Sequence, residues 1–214
     1  MTALQLADPR ETAALAGFLG QLLRYDKAAA VRLQTANGAL AVFARLPLGL
    51  SGPLVIRTVA LAPQAGAELD LTLSAGQLLD GMDLSVSSDE LALPAPITGP
   101  AWAGLLPPRA PWEHVADLPS APLVAAVRAA VTEFKRESAD PDALAESIWS
   151  RQVHASGLTL RGLHAAHLVG LLQHSETVAL HRHPAWLRLT APRGSVVVRR
   201  APAIGAGLGL SPTR

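Results

Sequence analysis

Histidines are the residues of this sequence whose type and spacing could do chemistry, because the chain holds seven of them and no cysteine. Five lie in two groups, the first in a predicted helix and the second in a predicted strand: His164, His167 and His174, then His181 and His183. Spacings of 3, 7 and 10 residues are close to whole helical turns, so the first three share one stripe. Such a set could form an all-nitrogen zinc or nickel site, or a proton-handling site.

The residues around these histidines argue against a metal site, and we predict neither a metal nor another cofactor. No H-E-x-x-H motif and no carboxylate cluster accompanies them. In the internal repeat described below, the helical stripe aligns with Leu15, Phe18 and Tyr25, which are typical of packing rather than coordination. The sequence alone leaves two interpretations of the stripe, a buried structural face and a ligand set.

Arginines form the second set of candidates. Eight arginines and one glutamate lie between residues 150 and 214, whereas the rest of the chain is acidic. Predicted helices at 121–137, 141–153 and 160–173, followed by a hairpin, resemble the order of a winged helix. The third helix offers few side chains that could read bases. In this alternative interpretation the hairpin arginines contact phosphates: Arg182, Arg188, Arg193, Arg199 and Arg200.

Motifs of common enzymes are missing from the sequence. There is no G-x-S-x-G elbow and no G-x-x-x-x-G-K phosphate loop, and the lack of cysteine excludes thiolate catalysis and thiolate zinc sites. The first 20 residues do not resemble a signal peptide, and the longest uncharged apolar runs are far shorter than a membrane span. We therefore expect a non-enzymatic, soluble, cytoplasmic protein.

Local signals predict the first elements clearly. Asp8, Pro9 and Glu11 are typical of a helix start, and apolar residues at helical spacing continue to about residue 25. Asn37-Gly38 predicts a type I′ hairpin that places Val31, Leu33 and Thr35 opposite Ala44, Val42 and Leu40. Strands at 54–62 and near 68–74 and a short helix should follow.

The remainder divides into a proline-rich stretch, helices and a second hairpin. In "TVALHRHPAWLRLTA" we expect His183-Pro184 at the bend and His181 facing Trp186. The predicted segments are a helix-plus-meander unit (1–93), an ordered strap rich in proline and tryptophan (94–120), a helical segment with a C-terminal meander unit (121–201) and a flexible tail (202–214).

The two ends of the chain are similar to each other. Residues 15–25 align with 164–174, and the strands of the first hairpin align with those of the second. Residues 55–57 align with 197–199. The sequence therefore predicts an α+β fold, with antiparallel sheets formed from two pseudo-repeated helix–three-strand meander units and additional helices packed against them.

The second half resembles a conserved-hypothetical protein family of high-GC bacteria. The resemblance rests on "LLPPRAPWEHVADLP", "AESIWSRQV" and "WLRLTAPRGSVVVRR". It implies no activity and no site residues.

Function is expected to depend on contact with other molecules. The uneven charge favours a protein partner or a homo-oligomer, in which the acidic part of one copy meets the basic part of another. Protein interaction or self-association is the first interpretation, and nucleic-acid association through the arginine-rich hairpin is the alternative.

Overall fold

The computed structural model of the chain describes residues 3–49, 52–63, 68–82, 88–136, 140–173 and 175–200. The first helix begins as predicted, because the Asp8 carboxylate accepts a hydrogen bond of 2.7 Å from the backbone N–H of Arg10. No helix in the described part of the chain is long and apolar enough to cross a membrane. The α-helices found there are α1 (Pro9–Tyr25), α2 (Ala75–Asp80), α3 (Ser120–Arg136), α4 (Pro141–Trp149) and α5 (Leu160–Leu168).

The strands found in the described residues are β1 (Ala3–Gln5), β2 (Ala30–Ala36), β3 (Ala39–Arg45), β4 (Leu54–Ala60), β5 (Asp70–Ser74), β6 (Glu90–Ala92), β7 (Glu113–Pro119), β8 (Thr177–His183), β9 (Trp186–Ala191) and β10 (Gly194–Arg199). Eight of them form one sheet in the order β5-β2-β3-β4-β10-β9-β8-β7, and β1 pairs with β6 in a second sheet. All of these pairs are antiparallel. The predicted α+β class is confirmed.

The order of elements repeats within the chain. Helix α1 is followed by the meander β2-β3-β4, and α5 is followed by the meander β8-β9-β10. The two meanders meet where β4 pairs with β10, so that Val55 lies opposite Val196 and Arg57 lies opposite Gly194. This single strand pair joins the two copies into one continuous sheet.

The first hairpin has the predicted turn and register. Asn37 and Gly38 have φ values of 51° and 72°, the left-handed conformations that a type I′ turn requires. The register therefore places the predicted residues opposite each other: Val31 and Ala44, Leu33 and Val42, Thr35 and Leu40.

The second hairpin bends one residue later than predicted. Its strands end with His183 opposite Trp186, which leaves Pro184 and Ala185 as the two turn residues. His181 consequently lies opposite Arg188, and its predicted pairing with Trp186 is wrong. The difference arises because a two-residue turn fixes the register, and moving the bend by one residue moves each cross-strand pair by two.

The predicted match of the third strands is also wrong. It aligned Arg57 with Arg199, but β4 places Arg57 opposite Val42. The counterpart of Val42 in the second copy is Leu189, which lies opposite Val196. Arg57 therefore corresponds to Val196, and the first copy has a charged side chain where the second has an apolar one.

The large sheet has two different faces. One face, here called the helix face, packs against the helices through a fully or nearly fully buried set: Val31, Leu33, Leu40, Val42, Val55, Val59, Val178, Leu180, Leu187, Leu189 and Val196. The opposite face, here called the outer face, carries a smaller cluster: Phe43, Leu54, Ile56, Trp186 and Val197. Trp102, Leu106 and Trp112 of the proline-rich segment pack against that cluster.

Several elements differ from the expected ones: α4 ends at Trp149 rather than at 153, and strands β1 and β6 were not expected. Helix α5 ends at Leu168 rather than at 173, and turns that include Gly170, with φ 77°, follow it. Strand β7 was not expected within the proline-rich segment, yet it pairs with β8 and forms one edge of the sheet. Proline is tolerated in such an edge strand, where fewer backbone N–H groups are needed.

Candidate functional site

The structure separates the candidate histidines into two places. Helix α5 holds His164 and His167 on the helix face of the sheet, whereas the outer face receives His181 and His183 from β8. His174 lies outside the described residues. Within the described ranges, no group of three or more histidine, aspartate or glutamate side chains is arranged to hold a metal ion.

His164 is held by packing. Its ring stacks on the indole of Trp149 with centroids 4.3 Å apart and planes inclined by 15°. Its Nδ1 atom is buried without a hydrogen-bond partner. Burial, with a smaller contribution from nearby His167, lowers the pKa of His164 to about 4. The ring is therefore neutral at physiological pH.

The two histidines of β8 contact aromatic side chains at positions 112 and 114. His183 contacts Trp112, with ring centroids 5.7 Å apart, and His181 meets the edge of His114 at 5.5 Å. The pKa of His181 is lowered, first by burial and then by the charges of His114 and Arg188. Ring contacts of this kind are common between packed aromatic side chains, and they indicate a structural role for both histidines.

The five hairpin arginines do not form one continuous surface. Arg188 donates a 2.9 Å hydrogen bond from Nε to the fully buried Ser195 hydroxyl, and its guanidinium lies 5.7 Å from the ring centroid of Trp112. Arg199 lies 5.0 Å from the Trp186 ring centroid. Arg182 donates to the carboxylate of Glu113, and Arg200 donates to the backbone carbonyl of Pro184. Arg193 is exposed at the turn before β10.

Ion pairs within the C-terminal half of the chain neutralise part of its excess positive charge. Three arginines of the basic segment each contact a glutamate at 2.6 Å: Arg151 with Glu133, Arg161 with Glu146, and Arg182 with Glu113. Attraction between the acidic part of one copy and the basic part of another is correspondingly weaker than the sequence suggests.

A cleft of about 1370 Å³ opens where the two halves of the chain meet. Its walls are the loop at 45–49, the segment at 97–102 and the facing sides of α4 and α5. Apolar and aromatic side chains contribute to its surface: Leu48, Ile97, Trp102 and Trp149. Ile97 is 39% exposed within this cleft.

Charged groups line the same cleft. Arg161, whose side chain is only 17% exposed, donates from Nη2 to Glu146 Oε2 at 2.6 Å. Its guanidinium packs against Gly49, where a Cβ atom would lie 2.7 Å from Nη1. Asp142 and His164 lie in the same wall. The cleft thus combines an apolar surface with a fixed ion pair, an arrangement that can hold a polypeptide segment.

Two family models match the sequence, one for each half of the chain. Residues 1–104 match the domain of unknown function DUF8010, and residues 107–203 match the domain of unknown function DUF8185. This agrees with the resemblance to an uncharacterised family that the sequence indicates. No curated protein matches the sequence.

The fold is similar to that of solved bacterial sliding clamps. For the DNA polymerase III β subunit of Thermotoga maritima, the TM-score is 0.56 at 13% identity, over 92% of this chain and 64% of that one. For the β subunit of Pseudomonas aeruginosa the values are 0.55, 11%, 94% and 66%, and for the C. crescentus β sliding clamp they are 0.52, 13%, 100% and 69%. The chain spans about two thirds of the length of these structures.

Sequence reasoning did not find the cleft that joins the two domains. The Trp149 ring packs partly against the core. Nothing in the sequence connects Trp149 with Leu48 or Ile97, which lie about 100 and 50 residues earlier. The available signal was weak, since an isolated isoleucine between prolines and glycine has no periodicity.

Proposed function

We propose that this protein is a non-enzymatic protein-interaction protein whose cleft binds an extended segment of a partner protein. The partner is either a different protein or a second copy of the chain. The observation that carries the proposal is the exposed, apolar surface of Ile97 beside Trp102 and Trp149, next to the ion pair of Arg161 with Glu146. Aromatic side chains and arginine are the residues on which binding energy concentrates in protein interfaces.

The size and openness of the cleft support a polypeptide as the occupant. Its volume of about 1370 Å³ exceeds the usual 300–1,000 Å³ of pockets that take small molecules. The walls come from loops as well as helices, so backbone groups and side chains are both available to an extended segment.

The surroundings of the histidines in the described residues are consistent with the proposed non-enzymatic role. His164 has the most strongly lowered histidine pKa among the described residues, but its ring is stacked on Trp149. Perturbed groups at catalytic sites usually act with an oriented partner, and Nδ1 of His164 has none in the described structure. The similarity to structures named as sliding clamps supports the same role.

Replacing Ile97 by aspartate is expected to weaken binding of a partner segment at least tenfold. Burying an isoleucine side chain contributes roughly 1.5–3 kcal/mol, and a buried unpaired carboxylate adds a desolvation cost. Peptides selected from a displayed library against the intact protein should be measured by fluorescence polarisation with both forms of the protein. Sedimentation velocity on the same samples shows whether a second copy is the occupant.

Leu105 offers the matched control, since it is 52% exposed on the same proline-rich segment and does not line the cleft. The Leu105→Asp protein should bind the selected peptides as the unchanged protein does. Peptides that bind Ile97→Asp and Trp149→Ala with unchanged affinity would exclude the cleft as their site.

Nucleic-acid association is the second candidate function. It is favoured by the similarity of the fold to structures named as subunits and clamps of DNA polymerase. The hairpin arginines remain the proposed contacts, and of these Arg193, Arg199 and Arg200 have exposed side chains. Because Arg182 and Arg188 are engaged within the chain, the three exposed residues carry this proposal.

A double variant Arg199→Gln/Arg200→Gln is expected to weaken binding of a 20-base-pair duplex about tenfold at low salt. Each lost phosphate contact removes attraction and lowers the salt dependence of binding. Fluorescence anisotropy of a labelled duplex at two salt concentrations measures both effects, with Arg182→Gln as the control. If the unchanged protein gives no anisotropy change at low salt, nucleic-acid association is excluded.

A further inference from the structure

A second pocket lies on the helix face, away from the cleft, and it is basic. It has a volume of about 540 Å³ and opens where α1, the turns after α5 and the β9–β10 turn come together. Arg57 enters it from β4, Arg193 from the turn, and His167 from the end of α5. Gln21 and Gln173 line the same pocket.

Arg57 is half-buried in this pocket without the partners that a buried guanidinium normally has. Its Nε atom is shielded from solvent and makes no hydrogen bond in the described residues. Burial is the main cause that lowers the pKa of Arg57; the charge of Glu11 opposes this lowering, and the charge of Arg193 adds a smaller lowering. Glu11 lies beyond ion-pairing distance, and its own Oε2 atom is also buried without a partner.

Most arginines with reduced exposure elsewhere in the described structure are matched by an acceptor. Ion pairs satisfy several of them: Arg32 with Asp70, Arg161 with Glu146 and Arg182 with Glu113. Two neighbouring guanidinium groups with no carboxylate within ion-pairing distance are therefore a departure from the pattern of this chain. Burying a guanidinium is costly, and an anion beside it would offset that cost more fully than Glu11, which lies beyond ion-pairing distance.

We propose that this basic pocket binds the phosphate group of a small phosphorylated molecule, with Arg57 and Arg193 as its ligands. A guanidinium presents two parallel N–H donors to a phosphate, and two of them enclose the group from different sides. His167 lines the same pocket, and burial, followed by the charge of Arg128, lowers its pKa. The volume is within the range of pockets that take molecules of nucleotide size.

A small ligand fits the geometry better than a duplex does. Gly17 and Gln21 of α1 and the segment at 167–173 line the pocket together with Arg57. Because these walls surround the half-buried guanidinium, a terminal phosphate should reach it more readily than a phosphodiester flanked by sugars. The proposal is independent of partner binding in the cleft, which uses other residues. Its failure would leave that proposal unchanged.

Thermal unfolding of the intact protein with inorganic phosphate and with AMP, at ionic strength matched by sodium chloride, tests the site. Phosphate at ten times its Kd should raise the Tm by roughly 3 °C. The Arg193→Gln variant should bind at least tenfold more weakly and lose most of this increase. Arg199→Gln, an exposed arginine on the outer face, should keep it.

Arg57→Met supplies a second readout. It should abolish the response to phosphate. The Tm of the ligand-free protein should change little, because the substitution removes the cost of burying the guanidinium together with its attraction to Glu11. Equal Tm increases in the unchanged protein, Arg57→Met and Arg193→Gln overturn the proposal. An unchanged protein whose Tm responds to neither phosphate nor AMP also overturns it. The same holds if a 20-base-pair duplex raises the Tm through Arg193 while phosphate and AMP have no effect.

Discussion

Replacing Gly194 by alanine is expected to lower the free energy of unfolding by about 3 kcal/mol or more. A Cβ atom at this position would lie 2.1 Å from the carbonyl oxygen of Ile56, and that oxygen belongs to the backbone of β4. The φ angle of 155° adds strain for any residue with a side chain. Because β4 and β10 are the strands that join the two meanders, the clash separates the halves of the sheet.

Urea unfolding followed by circular dichroism measures this loss, and Gly20 provides the control. Gly20 lies within α1, and a Cβ atom there would have nothing within 4 Å. Gly20→Ala should therefore stabilise the protein by about 0.5–1 kcal/mol, the usual cost of glycine inside a helix. A Gly194→Ala protein as stable as the unchanged one would contradict the β4–β10 junction.

Short-range signals made half of the architecture predictable. The start of α1 and the first hairpin depend on neighbouring residues, and Asn37-Gly38 alone fixed a register that carried three cross-strand pairs. The second hairpin lacked such a signal, since Pro184-Ala185 does not specify a turn type, and its bend was misplaced by one residue. Similarity between the copies was enough to predict the repeat but not to align every strand.

Long-range pairing accounts for what the sequence could not predict. Strand β7 pairs with β8 across about 60 residues of chain, and its residues alternate too weakly to indicate a strand. The cleft and the basic pocket each combine side chains from three or more distant segments. The boundaries of the strap and of the two units stay predictions, and the tail at 202–214 lies outside the described residues.

The histidines show where the two copies of the repeat have diverged. In the predicted alignment of the two copies, His164 corresponds to Leu15, which is fully buried in the first copy. In the second copy the same position faces Trp149 and the cleft, so a flat, partly polar ring replaces a branched apolar one. The exchange makes this part of the protein sensitive to acid, and the sensitivity can be measured.

Stability is expected to fall as the pH decreases from about 6.5 to about 4, and His164→Leu should remove much of that loss. Because the pKa of His164 is lowered to about 4 by burial, the unfolded chain takes up a proton in this range and the folded chain does not. The unchanged protein should lose about 1–2 kcal/mol at pH 5 relative to pH 8 from this residue, after allowance for its partial exposure.

Urea unfolding at pH 5 and pH 8 with both proteins isolates the contribution of His164, since carboxylates titrate equally in the two. Burial also lowers the pKa of His167 and of His181, so a smaller loss in the same direction should persist in His164→Leu. His154→Leu is the matched control, because His154 lies outside the stack with Trp149 and hydrogen-bonds to Ser156. Identical pH dependence of the unchanged protein and His164→Leu would show that His164 takes up its proton as readily in the folded state as in the unfolded chain. That result would contradict a neutral His164 ring stacked on Trp149.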